Sequence, residues 1–255
     1  VLLMSLIEIT TTGPVRTVTL NRPDKHNALN AGMMDELRAA FETEPPPEER
    51  VTVIRGAGRS FCSGLELSST DGVSNREAQR IETMFDAIQR YPLPVVSLVQ
   101  GRAIAGGCEL ALHTDFIVAE RNAAFTMPLA QLGVSTTWFL TKKIVEAAGA
   151  HVGREFLLLG EPIGAERLHD LGIVARVADP DGLDEAARII IDRLAANAPL
   201  SMRSMKHLLV AMNDHMMAAD HDHLDRTALS TYESEDSKEG IAARLAKRAP
   251  AFKGR

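Results

Sequence analysis

Apolar and polar positions alternate over residues 5–10 and again over 15–20, on either side of Gly13-Pro14, and this predicts a β-hairpin. The loop NRPDKHNA follows. Met33, Met34, Leu37, Ala40 and Phe41 then recur at helical spacing and predict a helix with one apolar stripe. PPPEER (45–50) breaks the chain. VTVIRG (51–56) is a continuous apolar run closed by glycine, the pattern of a strand buried on both faces. A second helix is predicted to open at Ser74-Asn75-Arg76-Glu77, a capping-box sequence, and to carry the stripe Ile81, Met84, Phe85, Ile88.

PVVSLVQG (94–101), FIVAE (116–120) and VARVAD (174–179) repeat the buried-strand pattern, with AIAGGCELALH turning into a helix between the first two and the amphipathic stretch 153–172 before the third. Strand, turn and helix in series imply an α/β fold with a mostly parallel sheet and helical crossovers. From about residue 184 the pattern is almost wholly helical. The expected organisation is a core over 1–183 and a helical region over 184–255.

Composition narrows the function classes. The chain has 255 residues, 45% of them apolar and 24% charged, which suits a sizeable globular core. Net charge is −6 and the basic residues are scattered, which argues against nucleic-acid binding, since that usually needs a basic stripe. Cys62 and Cys108 are the two cysteines, so no disulfide framework is implied. No apolar run approaches the length of a membrane span, and VLLMSLIEIT lacks the basic start of a signal peptide. The expected location is the cytoplasm.

Two glycine-bearing turns each follow a buried strand: Phe61-Cys62-Ser63-Gly64-Leu65-Glu66-Leu67, and Gly101 to Leu110 with Gly106-Gly107 at its centre. Glycine permits tight turning and close approach of a ligand to the backbone. A turn that opens a helix leaves N–H groups free at the positive end of the helix dipole. One N–H from each turn could converge on a single oxygen as an oxyanion hole. A tight connection needs glycine in any case, so each turn alone is weak evidence. Gly56-Ala57-Gly58 lacks the third glycine of a dinucleotide fingerprint. Glu109 falls in the first turn of the helix between Cys108 and Leu110-Ala111-Leu112. A lone carboxylate there has its pKa raised, which suits proton transfer near neutral pH, although an acidic residue also complements a helix N-terminus.

Asn21-Arg22-Pro23 with Asn27-Ala28-Leu29, SFCSGLEL, AIAGGCELAL and the tail EGIAARLAKRAPAFKG together resemble the crotonase (enoyl-CoA hydratase/isomerase) superfamily along essentially the whole chain. The resemblance implies a spiral of repeated ββα units with a C-terminal helical region, and assembly as a homotrimer or dimer of trimers. It implies an acyl-CoA substrate, with coenzyme A part of that substrate and no separate cofactor or metal. It implies that the N–H groups of Leu65 and Gly106 hold the thioester oxygen, and that Glu109 is the base. Ser63, Gly64, Glu66, Leu67, Gly107, Pro128 and Leu129 would be substrate-binding residues. Lys25, Ala28 and Lys247 would follow the CoA arm; Arg22 and Arg244 are further basic groups on the first loop and the tail, and Arg248 and Lys253 read better as solvated surface charges.

The chain departs from the family pattern at one chemically important place. After Phe125-Thr126-Met127-Pro128 the resemblance calls for a second glutamate, and this chain has Leu129, which can neither hold nor deliver a proton. Hydration uses two carboxylates, so hydratase activity is in question. His113, Ser135, Thr136 and Thr137 are candidate substitutes. A single base suffices for a 1,3 proton shift, and an acyl-CoA binder or shuttle needs none. Glu66 stands for the family's usual aspartate, and Ser68 for a basic residue. His215, Asp220, His221, Asp222, His223 and Asp225 invite a metal reading, but on a helix only His221 and Asp225 share a face.

Overall fold

The computed structural model describes residues 5–67 and 75–254. The expected hairpin forms from β1 (Ile7–Thr12) and β2 (Val15–Leu20), paired antiparallel. The first predicted helix is α1 (Ala31–Glu42). Asn30 caps it by accepting the Met33 N–H at 2.9 Å, and Met33, Met34, Leu37 and Phe41 are buried. β3 (Val51–Gly56) is followed by α2 (Asn75–Arg90), whose Ile81, Met84, Phe85 and Ile88 face the core as their spacing requires. Ser74 of the predicted capping box, and Ser68, lie outside the described residues.

The next stretch shows the repeating unit. β4 (Val95–Val99) is buried at every position and is followed by the short strand β5 (Arg102–Ile104) and the helix α3 (Gly106–Leu112). β6 (Phe116–Glu120) and β7 (Ala124–Thr126) repeat the step from a main-sheet strand to a short second strand, and α4 (Trp138–Arg154) follows. β8 (Ile163–Gly164), α5 (Ala165–Asp170) and β9 (Arg176–Ala178) complete this part. Among the described residues the main sheet runs β1-β2-β3-β4-β6-β9 and the small one β5-β7-β8. From β2 to β9 the main-sheet neighbours are parallel, and β5 and β7 are parallel as well. The two sheets, advanced together one step per turn, make the crotonase-like spiral of ββα units. The amphipathic stretch 153–172 is not one helix: it divides into the end of α4, a π-helical turn (Glu155–Leu159), β8 and α5.

The C-terminal region is helical, with α6 (Leu183–Ala196), α7 (Pro199–Asp214), α8 (Asp222–Ser230) and α9 (Glu235–Leu245). α6 covers one face of the main sheet, packing Leu183, Ala187 and Leu194 on Val51, Val53, Val96, Leu98 and Val118. α1, α2 and α3 bury the other face. Each fully buried Leu, Ile or Val contributes about 1.5–3 kcal/mol, so both faces of the sheet add to stability. No described helix is long and apolar enough to cross a membrane.

Candidate active site

The two glycine turns touch. Segment 61–66 is held along one edge by β5, where Cys62 N–H donates to Arg102 O at 3.1 Å and Ile104 N–H donates to Cys62 O at 3.0 Å. Leu29 holds the other edge: its N–H donates to Gly64 O at 2.8 Å and its carbonyl accepts from Glu66 N–H at 2.9 Å. That parallel bridge pairs Leu29 with Leu65 and turns the Leu65 N–H away, toward the β5 edge. Gly64 has φ +83, and a Cβ there would come within 3.1 Å of Gly106 N. A Cβ on Gly106 would lie 3.5 Å from Gly64 Cα. Ala105, just before α3, has φ +47, a costly conformation for alanine, and its N–H is fixed by Thr126 O at 2.7 Å. Among the described residues neither the Leu65 N–H nor the Gly106 N–H has a backbone acceptor. Leu65 and Gly106 both line one cavity.

These turns form one wall of a mostly apolar cavity of about 120 Å³, far more than the ~10–15 Å³ that holds a water. Leu65, Gly106 and Glu109 lie on that wall, with Ser63 and Leu67 alongside. Ala78, Ile81 and Phe85 of α2 form a second wall. Pro128, Leu129, Leu132 and Val134 form a third, which Tyr232 and Arg244 of the C-terminal region complete.

Glu109 is 1% exposed, and among the described residues neither carboxylate oxygen has a hydrogen-bond partner. Burial pushes its pKa well up; the Glu82 carboxylate adds to the rise and Lys143 opposes it. His113 sits beside it, its Nδ1 at 2.8 Å from the Glu109 backbone O and 3.5 Å from Glu109 Oε2. The imidazole is sandwiched between Phe85 and Phe139, at centroid distances of 4.6 and 5.3 Å. Burial, and then Lys143, hold the His113 pKa well down. Both shifts favour the uncharged forms, an acid beside a neutral imidazole.

The structure brings together some of the residues singled out in the sequence and leaves others apart. Leu65, Gly106, Glu109, Ser63, Leu67, Pro128 and Leu129 line the cavity, and Gly64 lies directly behind it. Lys25, Ala28, Glu66, Gly107 and Lys247 are not in its wall. Glu66 is paired with Arg22 at 2.9 Å, and Arg22 also donates to Ala28 O at 2.6 Å, so this arginine is occupied inside the protein. Gly107 is pressed against Cys62, where a Cβ would sit 2.2 Å from the Cys62 carbonyl. Lys25 and Lys247 are exposed, without ion pairs among the described residues. Arg248 is held by Glu239, and the Lys253 N–H by Asp236.

The candidate substitutes for the missing acid also separate. His113 lines a different cavity, shared with Lys143 and Lys206. Thr137 donates to Glu82 and does not line the acid's cavity; Ser135 donates its N–H to Thr231 at 2.9 Å. His221 binds Asp225 at 2.8 Å and stacks on Trp138. Tyr232 and Arg244 were not legible as cavity residues, because each lies far beyond Leu140, the last other cavity residue in the sequence. Glu82 was signalled only by falling between Ala78 and Phe85 on the apolar face of α2.

The enoyl-CoA hydratase/isomerase family model matches residues 10–255. The carnitinyl-CoA dehydratase of Salmonella typhi is 32% identical over 262 residues, covering 98% of each protein. A solved enoyl-CoA hydratase from Mycobacterium avium subsp. paratuberculosis superimposes with a TM-score of 0.86 at 27% identity, covering 97% of this chain and 98% of the other. A methylmalonyl-CoA decarboxylase complexed with 2S-carboxypropyl-CoA superimposes with a TM-score of 0.89 at 26% identity, covering 99% of each. With a family match over residues 10–255 and a relative 32% identical along almost its whole length, the chain belongs to the enoyl-CoA hydratase/isomerase family.

Proposed function

We propose that the protein acts on an acyl-CoA thioester by stabilising its enolate. The Leu65 and Gly106 N–H groups receive the thioester oxygen, and Glu109 moves the proton at the adjacent carbon. The observation that carries this reading is the contact between the two glycine turns above a buried, unpartnered carboxyl. As charge develops on the oxygen, two preset donors in a mostly apolar cavity favour the enolate without reorganising. Glu109 must first be ionised to act as a base, so the rate rises with pH through its elevated pKa. Lys25, Lys247 and Arg244, exposed and without ion pairs among the described residues, are the cations assigned to the CoA phosphates, with Ala28 alongside the CoA arm. The apolar, exposed positions Leu200, Leu208, Leu209 and Met212 of α7 support self-assembly, and a homotrimer or dimer of trimers is the form we propose.

A second reading is an acyl-CoA binder or shuttle with weak chemistry. Leu129 favours it, because a leucine occupies the cavity wall where hydration calls for another carboxylate. Loss of conjugated-thioester absorbance from a 2-enoyl-CoA separates the two. Turnover abolished by Glu109→Gln supports the enzyme. Thermal stabilisation by acyl-CoA with no turnover supports the binder.

A further inference from the structure

We propose that Tyr232 is a further catalytic residue of this cavity, its hydroxyl holding the oxygen at C3 of the acyl chain, either the water being added or the hydroxyl being lost. The proposal rests on the acyl-thioester reading above. Tyr232 lies in the short 3-10 turn between α8 and α9 and is 7% exposed. Its ring packs with Ala78 and Val134 and against Leu129 and Leu132. It therefore stands on the same wall as the leucine that replaces a carboxylate.

A buried phenol ordinarily finds a partner for its O–H. Among the described residues the Tyr232 hydroxyl has no protein partner, yet its oxygen is not one of the fully enclosed polar atoms, and the residue lines the cavity. The other polar groups lining the cavity are accounted for. Ser63 directs its hydroxyl to Lys25 O at 3.4 Å, Arg244 is exposed, and Glu109 lies in α3 behind the glycine turn. Burial, with the Glu82 carboxylate adding, pushes the Tyr232 pKa up to about 12. The phenol stays protonated across the neutral range and acts as a hydrogen-bond donor, not as a base. That suits an oxygen that must be held in place while Glu109 handles the proton. A phenylalanine would fill the same apolar space, so packing with Leu129 and Val134 does not by itself call for the hydroxyl.

The test is calorimetric binding in a Glu109→Gln background, which prevents turnover, with and without Tyr232→Phe. The ligands are 3-hydroxybutyryl-CoA and butyryl-CoA, which differ by the C3 oxygen. Removing the phenol oxygen is expected to weaken 3-hydroxybutyryl-CoA by about three- to tenfold, the worth of one neutral hydrogen bond, and to leave butyryl-CoA unchanged. Equal weakening of both ligands, or no change in either, overturns the proposal. If neither thioester binds when Tyr232 is present, the acyl-CoA reading falls and this inference with it.

Discussion

Gly64→Ala is the substitution that separates the contact between the two turns from general stability. Gly64 sits at φ +83, where an L side chain costs about 1–2 kcal/mol. The added Cβ would meet Ile104 O at 2.7 Å, Gly106 N at 3.1 Å and Ala105 Cβ at 3.2 Å. The first two neighbours are backbone, so the turns must part by several tenths of an ångström. Overpacking of that kind adds about 1–3 kcal/mol, for a total loss of roughly 2–5 kcal/mol in unfolding free energy. The displaced donor should lower turnover by about 100- to 1,000-fold. Gly172→Ala is the control: its φ is +78, but nothing lies within 4 Å of the added Cβ. It should lose only about 1–2 kcal/mol and keep full turnover. Urea unfolding gives the stabilities, and enoyl-CoA turnover well below the melting temperature gives the rates. Full turnover in Gly64→Ala would refute the joint role of the turns. An equal rate loss in Gly172→Ala would show that rate merely follows stability.

Three other outcomes follow from the same geometry. Glu109 keeps its proton in the folded state above the ordinary value of 4.5, so native stability is fullest below about pH 4.5 and declines as pH rises toward the elevated folded value. Glu109→Gln lacks that decline and should gain on the native protein by up to about 1.4 kcal/mol per pH unit; parallel stability curves from about pH 5 to about pH 8 would contradict the buried acid. Leu129→Glu should raise hydration of a 2-enoyl-CoA by up to about a hundredfold, and a variant that binds acyl-CoA yet hydrates no faster would show that this wall does not face C3. Asn27 is fully buried; its Nδ2 donates to Ala57 O, Ser60 O and Phe61 O at 2.9, 2.8 and 3.1 Å, and its Oδ1 accepts the Arg22 N–H at 3.0 Å. Asn27→Ala should cost about 3–5 kcal/mol, read as a drop in melting temperature; a loss under about 1 kcal/mol would mean that water replaces those bonds.

Much of the scaffold could be read in advance because its signals are local. β3, β4 and β6 are apolar runs bounded by turns, and α1 and α2 carry clear stripes. The short strands β5, β7 and β8 span two or three residues, too few for any periodicity, and exist because the spiral brings their edges together. The glycine turns and Glu109 were visible as residue types, but their contact depends on how Leu29 and β5 grip segment 61–66 from opposite edges. Helical spacing placed His113 beside Glu109, as found, yet could not tell that the Phe85 and Phe139 rings hold it outside the acid's cavity. Tyr232 and Arg244 carry no local mark of their place, since the turn after α8 and the end of α9 reach the cavity only through tertiary packing.

Exchange of the C2 protons of butyryl-CoA in D₂O, followed by proton NMR, addresses the central claim most directly. It reads enolate formation whether or not hydration follows. The account predicts exchange with the native protein, faster as pH rises through the elevated pKa of Glu109, slowed by Gly64→Ala and abolished by Glu109→Gln. Saturating binding of butyryl-CoA with no C2 exchange at any pH would contradict it and leave a thioester-binding protein without enolate chemistry.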